Sequence, residues 1–222
     1  MRGVFCMTTG LVIFDLDGTL LNTIADLAAS ANYALKTLGF PLRKEEECRS
    51  FVGNGVTKLL ERALPEGAKT PENIEKMRAV FQTHYDAHNT DATSVYPGVS
   101  AVLETLNARG IKLAVASNKY QSATEKLIKH YFPQIPFCCV FGAREGVPVK
   151  PNPQVVADIL QLARIPEENV LYVGDSDVDM QTAKNASLRA CAVLWGFRSR
   201  TQLEPYHPAC WAERPDDILA AI

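Results

Sequence analysis

The run Leu11-Val12-Ile13-Phe14-Asp15-Leu16-Asp17-Gly18-Thr19-Leu20 carries an apolar segment into two carboxylates one residue apart, then into a Gly-Thr turn. Side chains alternate between the faces of a strand, so Asp15 and Asp17, at i and i+2, project the same way from its end. Two anions in one small polar site are costly unless a cation sits between them or one of them holds a proton. Metal-assisted phosphoryl transfer supplies both conditions: one Asp attacks and the other moves a proton. A bare D-x-D is ordinarily turn chemistry, and three further segments lift this one above that.

Ser117-Asn118 follows the apolar run Ile111–Ala116. A hydroxyl and an amide at a strand end can donate to phosphate oxygens without adding charge. Lys150 stands between Val149 and Pro151, just before a helix-like stretch. Its ammonium would neutralise an acid and bind phosphoryl oxygens, and the neighbouring prolines hold the loop in place. Val170-Leu171-Tyr172-Val173-Gly174-Asp175-Ser176-Asp177-Val178-Asp179 repeats the opening pattern, a strand ending in acids. Clustered carboxylates need a cation, and an all-oxygen donor set without His or Cys suits Mg²⁺ rather than zinc. Capping of the following helix is the simpler use for one of the acids, Asp177 first.

These groups need a scaffold that brings strand ends together. Strand-like runs recur at Leu11–Asp15, Ile111–Ala116, Phe137–Phe141, Val170–Val173 and Ala190–Leu194. Helical patterns lie between most of them, at Val99–Ala108, Ser122–Tyr131, Pro153–Ala163 and Val178–Asn185. That alternation predicts an α/β fold with a doubly wound parallel sheet, in which ligands gather beyond the carboxyl ends of the strands. From Asn22 to about Tyr96 the alternation stops. Helix-like segments at Ala25–Leu38, Lys44–Phe51, Val56–Leu64 and Glu72–His88 follow one another there, the last opened by Thr70-Pro71. The expected organisation is a core of residues 1–21 and 97–222 with a small all-helical cap, residues 22–96, inserted after the first strand.

Bulk properties narrow the partners. The formal charge of -2 over 222 residues shows no basic stripe, which argues against nucleic acid. No apolar stretch is long enough to span a bilayer. The start, Met1 to Met7, lacks the sustained apolar region of a signal peptide, which predicts the cytoplasm. The six cysteines form no C-x-x-C pair and are expected as reduced thiols. His84 and His88 lack a third ligand in their pattern and are expected as surface or packing residues, and Trp195 is expected to pack.

Taken together, Asp15-Leu16-Asp17-Gly18-Thr19, Ser117-Asn118, Lys150 and Gly174-Asp175-Ser176-Asp177-Val178-Asp179 resemble the four motifs of the haloacid dehalogenase superfamily of phosphatases. The resemblance implies that Asp15 is a nucleophile that becomes an aspartyl-phosphate, and that Asp17 protonates the leaving alkoxide and then activates water. It implies that Ser117, Asn118 and Lys150 hold the phosphoryl oxygens. Mg²⁺ would sit on the carboxylates of Asp15 and Asp175 and the backbone carbonyl of Asp17. Asp179 would help through water or by orienting Lys150. Dehalogenases typically lack an acid at the position of Asp17, so its presence favours phosphate esters.

The segments Asp17–Thr23 and Phe51–Val56 look most like the phosphoglycolate phosphatase branch, with Gly53, Asn54 and Gly55 expected at the substrate's leaving group. Lys58 and Arg62 read as solvated. Branches with the same cap type act on pyrophosphate or sugar phosphates or are β-phosphoglucomutase-like phosphotransferases. A non-catalytic binding protein on this fold is the remote alternative, and it should have lost the acids or Lys150. The expected partner is a small phosphorylated metabolite, with room left for a homodimer.

Overall fold

The computed structural model describes residues 9–222; Cys6 and the reading of Met1 to Met7 lie outside that range. In chain order the elements are β1 (Leu11–Phe14), β2 (Leu21–Asn22), α1 (Ile24–Thr37), α2 (Glu45–Phe51), α3 (Val56–Ala63), α4 (Pro71–His88) and β3 (Ser94–Val95). The chain continues through α5 (Val99–Ala108), β4 (Lys112–Tyr120), α6 (Gln121–Tyr131), β5 (Phe137–Ala143), α7 (Gln154–Ala163) and β6 (Val170–Gly174). It ends in α8 (Asp177–Asn185), β7 (Arg189–Val193), α9 (Arg200–Leu203), β8 (Cys210–Ala212) and α10 (Asp217–Ala220).

β1 is the hub. All of its residues are buried, because helices cover both faces of the sheet. Val12 and Phe14 pack on one side with Val102 and Leu103 of α5 and Leu127 of α6. Leu11 and Ile13 pack on the other with Val156 and Ile159 of α7 and Met180 of α8. Each such side chain contributes about 1.5–3 kcal/mol by leaving water, and the alternation fixes which way the residues after β1 must point. The six strands run parallel in the order β5-β4-β1-β6-β7-β8.

Three details differ from the sequence expectation. β4 runs past Ala116 to Tyr120, with a register shift against β5 between those two residues. β8, only three residues long, adds an edge strand after β7. β2 and β3 form a short antiparallel pair, Leu21↔Val95 and Asn22↔Ser94, at the borders of the stretch where no strand was expected.

Between β2 and β3 lie α1 to α4, packed around Leu27, Leu35, Leu60, Met77, Phe81 and Tyr85. α4 starts as its sequence suggests: Thr70 Oγ1 accepts the Asn73 N–H at 3.2 Å, and Pro71 takes the first helical position. Buried Asp26 of α1 accepts from the Thr93 N–H at 2.8 Å and the Thr93 hydroxyl at 2.7 Å, closing the unit where the chain returns. His84 stacks between Tyr33 and His88, and Trp195 donates its indole N–H to the Thr19 carbonyl at 3.0 Å, so both pack as expected. The described cysteines are free thiols. Among the described residues, no helix is long and apolar enough to cross a membrane.

Candidate active site

β1 and β6 are parallel neighbours in register, Phe14 opposite Val173. The residues just beyond each end, Asp15 and Asp175, are therefore delivered side by side, and the Asp15 N–H still bonds the Val173 carbonyl at 2.9 Å. Asp179 joins them from the first turn of α8. Carboxylate oxygens of Asp15, Asp175 and Asp179 lie within 4.8 Å of one another, and all three residues are buried.

One ammonium contacts two of the three acids. Lys150 Nζ lies 2.9 Å from Asp15 Oδ1 and 2.7 Å from Asp179 Oδ1, and donates to the Ala116 carbonyl at 2.8 Å. Burial works against the Lys150 ammonium, but the charges of Asp15 and Asp179 prevail and hold its pKa above the ordinary lysine value. The acids lack enough compensation. Burial, then the charge of Asp179, pushes Asp15 well above the usual carboxylate range. The same two causes push Asp175 up to about 7, against the opposing hydrogen bonds from the Phe197 N–H and the Thr19 hydroxyl. A dry all-oxygen cluster short of positive charge fits a hard divalent cation.

The acids are not equivalent. Asp179 Oδ2 accepts the Ser176 N–H at 3.0 Å and its hydroxyl at 2.6 Å, and Oδ1 faces Lys150 and the Tyr172 hydroxyl. The helix-capping carboxylate is thus Asp179, paired with Ser176 in a capping box, rather than Asp177. Asp177 instead faces Arg198 at 3.6 Å. With both oxygens engaged by protein donors, Asp179 is placed to orient Lys150. Asp175 takes the Thr19 hydroxyl on Oδ1 at 3.0 Å and the Phe197 N–H on Oδ2 at 2.7 Å. Gly18, at φ +87°, and Gly196 press against its carboxylate so closely that a Cβ on either would overlap it.

Asp17 sits higher in the cleft. Its Oδ1 accepts the Thr23 hydroxyl at 2.7 Å and lies 3.2 Å from Lys119 Nζ. Ser117 Oγ accepts the Lys119 N–H at 3.2 Å and keeps its own proton to donate. The Asn118 amide is engaged within the fold. Its Nδ2 donates to the Gly53 and Lys150 carbonyls, both at 2.9 Å, and its Oδ1 accepts the Lys150 N–H at 2.8 Å. Both amide protons are used in fixing the Lys150 backbone beneath the Gly53 loop.

Gly53 and Gly55 line the cleft, whereas the Asn54 side chain turns to Arg62, which donates to its Oδ1 and to the Phe51 carbonyl, both at 2.8 Å. Arg62 is thereby a strut of that loop and not the solvated residue expected; Lys58 does pair with Glu61 at the surface. Arg198, after β7, donates to the Val52 carbonyl at 2.6 Å and the Arg49 carbonyl at 3.1 Å, tying the core to the end of α2. Lys119 was missed at the sequence level. The signal was present: it stands at i+2 from Ser117, the same alternation that pairs Asp15 with Asp17.

Comparison with known proteins agrees with this architecture. The family model for haloacid dehalogenase-like hydrolases matches residues 12–193. A phosphoglycolate phosphatase of Cereibacter sphaeroides (strain ATCC 17025 / ATH 2.4.3) is 36% identical over 189 residues, covering 84% of this chain and 86% of that one. One of Aquifex aeolicus is 31% identical, with 94% of each chain covered. Among solved structures, a protein of Lactobacillus delbrueckii subsp. bulgaricus, provisionally named a phosphoglycolate phosphatase, superposes with a TM-score of 0.91 at 30% identity, over 97% of this chain and 99% of that one. CbbY from Rhodobacter sphaeroides shares the fold at TM-score 0.80 and 21% identity, over 95% of this chain and 96% of that one. With that family match over most of its length, this chain belongs to the haloacid dehalogenase-like hydrolases and is a phosphatase.

Proposed function

We propose that this phosphatase hydrolyses phosphoglycolate through a phosphorylated Asp15, with Mg²⁺ as its cofactor. The observation that carries the mechanism is the buried cluster of Asp15, Asp175 and Asp179, with Lys150 paired to Asp15 and Asp179 and Asp17 lining the same cleft. The likeness to phosphoglycolate phosphatases over most of the chain supports the substrate.

An oxygen of Asp15 attacks phosphorus and the ester bond breaks. Asp17 gives its proton to the departing alkoxide. Asp17 then takes a proton from water, whose oxygen attacks the phosphorus of the acyl phosphate, releasing inorganic phosphate and restoring Asp15. Ser117 donates to the phosphoryl oxygens, and Lys150 balances the nucleophile. Asn118 acts one step back, through the Lys150 loop it holds. Mg²⁺ bound by Asp15, Asp175 and the Asp17 carbonyl, with Asp179 behind, would neutralise charge on the transferring group. Residues 22–96 act as a cap that shields the site from water while Asp15 attacks.

A panel of kcat/KM values tests the substrate. Phosphoglycolate should exceed pyrophosphate and sugar phosphates by about tenfold or more. A sugar phosphate in the lead would overturn the substrate and leave the chemistry standing. The role of Asp17 has its own test. Asp17→Asn should lower kcat/KM, which reports the steps up to the phosphorylated Asp15, by about 10²–10⁴-fold for phosphoglycolate, but much less for p-nitrophenyl phosphate, because nitrophenolate leaves without a proton. Equal losses on both would contradict the acid assignment.

A further inference from the structure

Lys119 places a second buried cation in the cleft. Its side chain is only 3% exposed, on the wall of the cleft. The ammonium donates to the Tyr85 hydroxyl at 2.8 Å, lies 4.5 Å from the centre of the Tyr85 ring, and stands 3.2 Å from Asp17 Oδ1. Tyr85 belongs to α4 and Lys119 to β4, so the pair joins the helical unit to the sheet. Asp17 is a shared partner, already accepting from Thr23. A buried cation with only part of an anion's attention is unfavourable unless something else of negative charge arrives.

We propose that Lys119, assisted by Tyr85, determines specificity by binding a carboxylate on the leaving group, so that the enzyme selects phosphomonoesters whose ester-bearing carbon also carries a carboxylate. This rests on the reading of Asp17 as the group that protonates the leaving oxygen. In such a substrate the carboxylate carbon is two bonds from that oxygen, and Lys119 is the cation in contact with Asp17. Lys150 cannot serve, since its protons go to Asp15, Asp179 and the Ala116 carbonyl. Arg198 borders the cleft too, but its guanidinium is held by the Val52 and Arg49 carbonyls and Asp177. Leu59 and Phe81 line the same cleft, so the Lys119 ammonium and the Tyr85 hydroxyl share it with apolar side chains. Among the described residues, the Tyr85 hydroxyl accepts from Lys119 and has no recorded acceptor for its own proton.

The test compares phosphoglycolate with ethyl phosphate, which keeps the two-carbon ester and lacks the carboxylate. Wild-type protein should prefer phosphoglycolate. In Lys119→Met the ratio of the two kcat/KM values should fall by about 100-fold, chiefly through a higher KM for phosphoglycolate. Tyr85→Phe, which keeps the ring, should lower the same ratio by about tenfold, and it carries the test if Lys119→Met does not fold. Equal losses on both substrates would show that Lys119 acts only by positioning Asp17, and no loss on either would show that it reads nothing; both leave the ratio unchanged and overturn the proposal. No preference in the wild-type protein would instead overturn the phosphoglycolate reading itself.

Discussion

Asp15→Asn should abolish turnover and leave the fold intact. Removing the nucleophile of a covalent mechanism costs about 10⁴–10⁶-fold in kcat, since no other carboxylate at the floor is placed to replace it. Asp175 is held on both oxygens by Thr19 and Phe197, and Asp179 by Ser176 and Lys150. Stability should move the other way. Burial and the charge of Asp179 disfavour ionised Asp15, so a neutral amide of the same shape relieves repulsion, while Lys150 keeps Asp179 and the Ala116 carbonyl. Melting without divalent cation should therefore occur at the same temperature as wild type or higher. A variant keeping more than about a hundredth of wild-type kcat would refute the covalent route.

Loss of the divalent cation should be equally severe. After exhaustive chelation, hydrolysis should fall to background, return with Mg²⁺, and fail to return with Ca²⁺, which favours more ligands and longer distances. The reason is electrostatic: of three clustered buried carboxylates the Lys150 ammonium pairs with two, and the incoming phosphate adds negative charge. Mg²⁺ at 100 times its Kd should also raise stability by about 2.7 kcal/mol, visible as a higher melting temperature, and Asp175→Asn should weaken that response. Full activity in the chelated protein would remove the metal from the mechanism.

What could be read from the chain follows from the range of the forces involved. Asp15, Lys150, Asp175 and Asp179 were legible because local pattern suffices: each acid pair ends an apolar run, and parallel strands bring such ends together. The helices of residues 22–96 were legible for the same reason, down to Thr70 and Pro71. The edges of regular structure were not. β2 and β3 are two residues each, too short for any periodicity, and exist because Leu21 and Val95 meet in space. β8 hides in Cys210-Trp211-Ala212, held by its neighbour β7. The tasks of Asn118 and Arg62 were equally invisible, since their partners lie elsewhere in the chain: Gly53 and Lys150, Asn54 and Phe51. Composition shows that a donor exists and is silent on which acceptor takes it.

The tight seat of Asp175 between Gly18 and Gly196 bears on how this protein could be given a new task. Asp175 is held by the Thr19 hydroxyl and the Phe197 N–H and is crowded by the backbone at both glycines, so a new methyl on either glycine shifts the acid itself. Leu59, Phe81 and Tyr85 line the same cleft, and their side chains can be exchanged without displacing Asp15, Asp175 or Asp179. Directed evolution toward bulkier or uncharged esters should therefore accumulate its changes in α3 and α4, while libraries that randomise residues 18 or 196 should yield dead clones almost throughout.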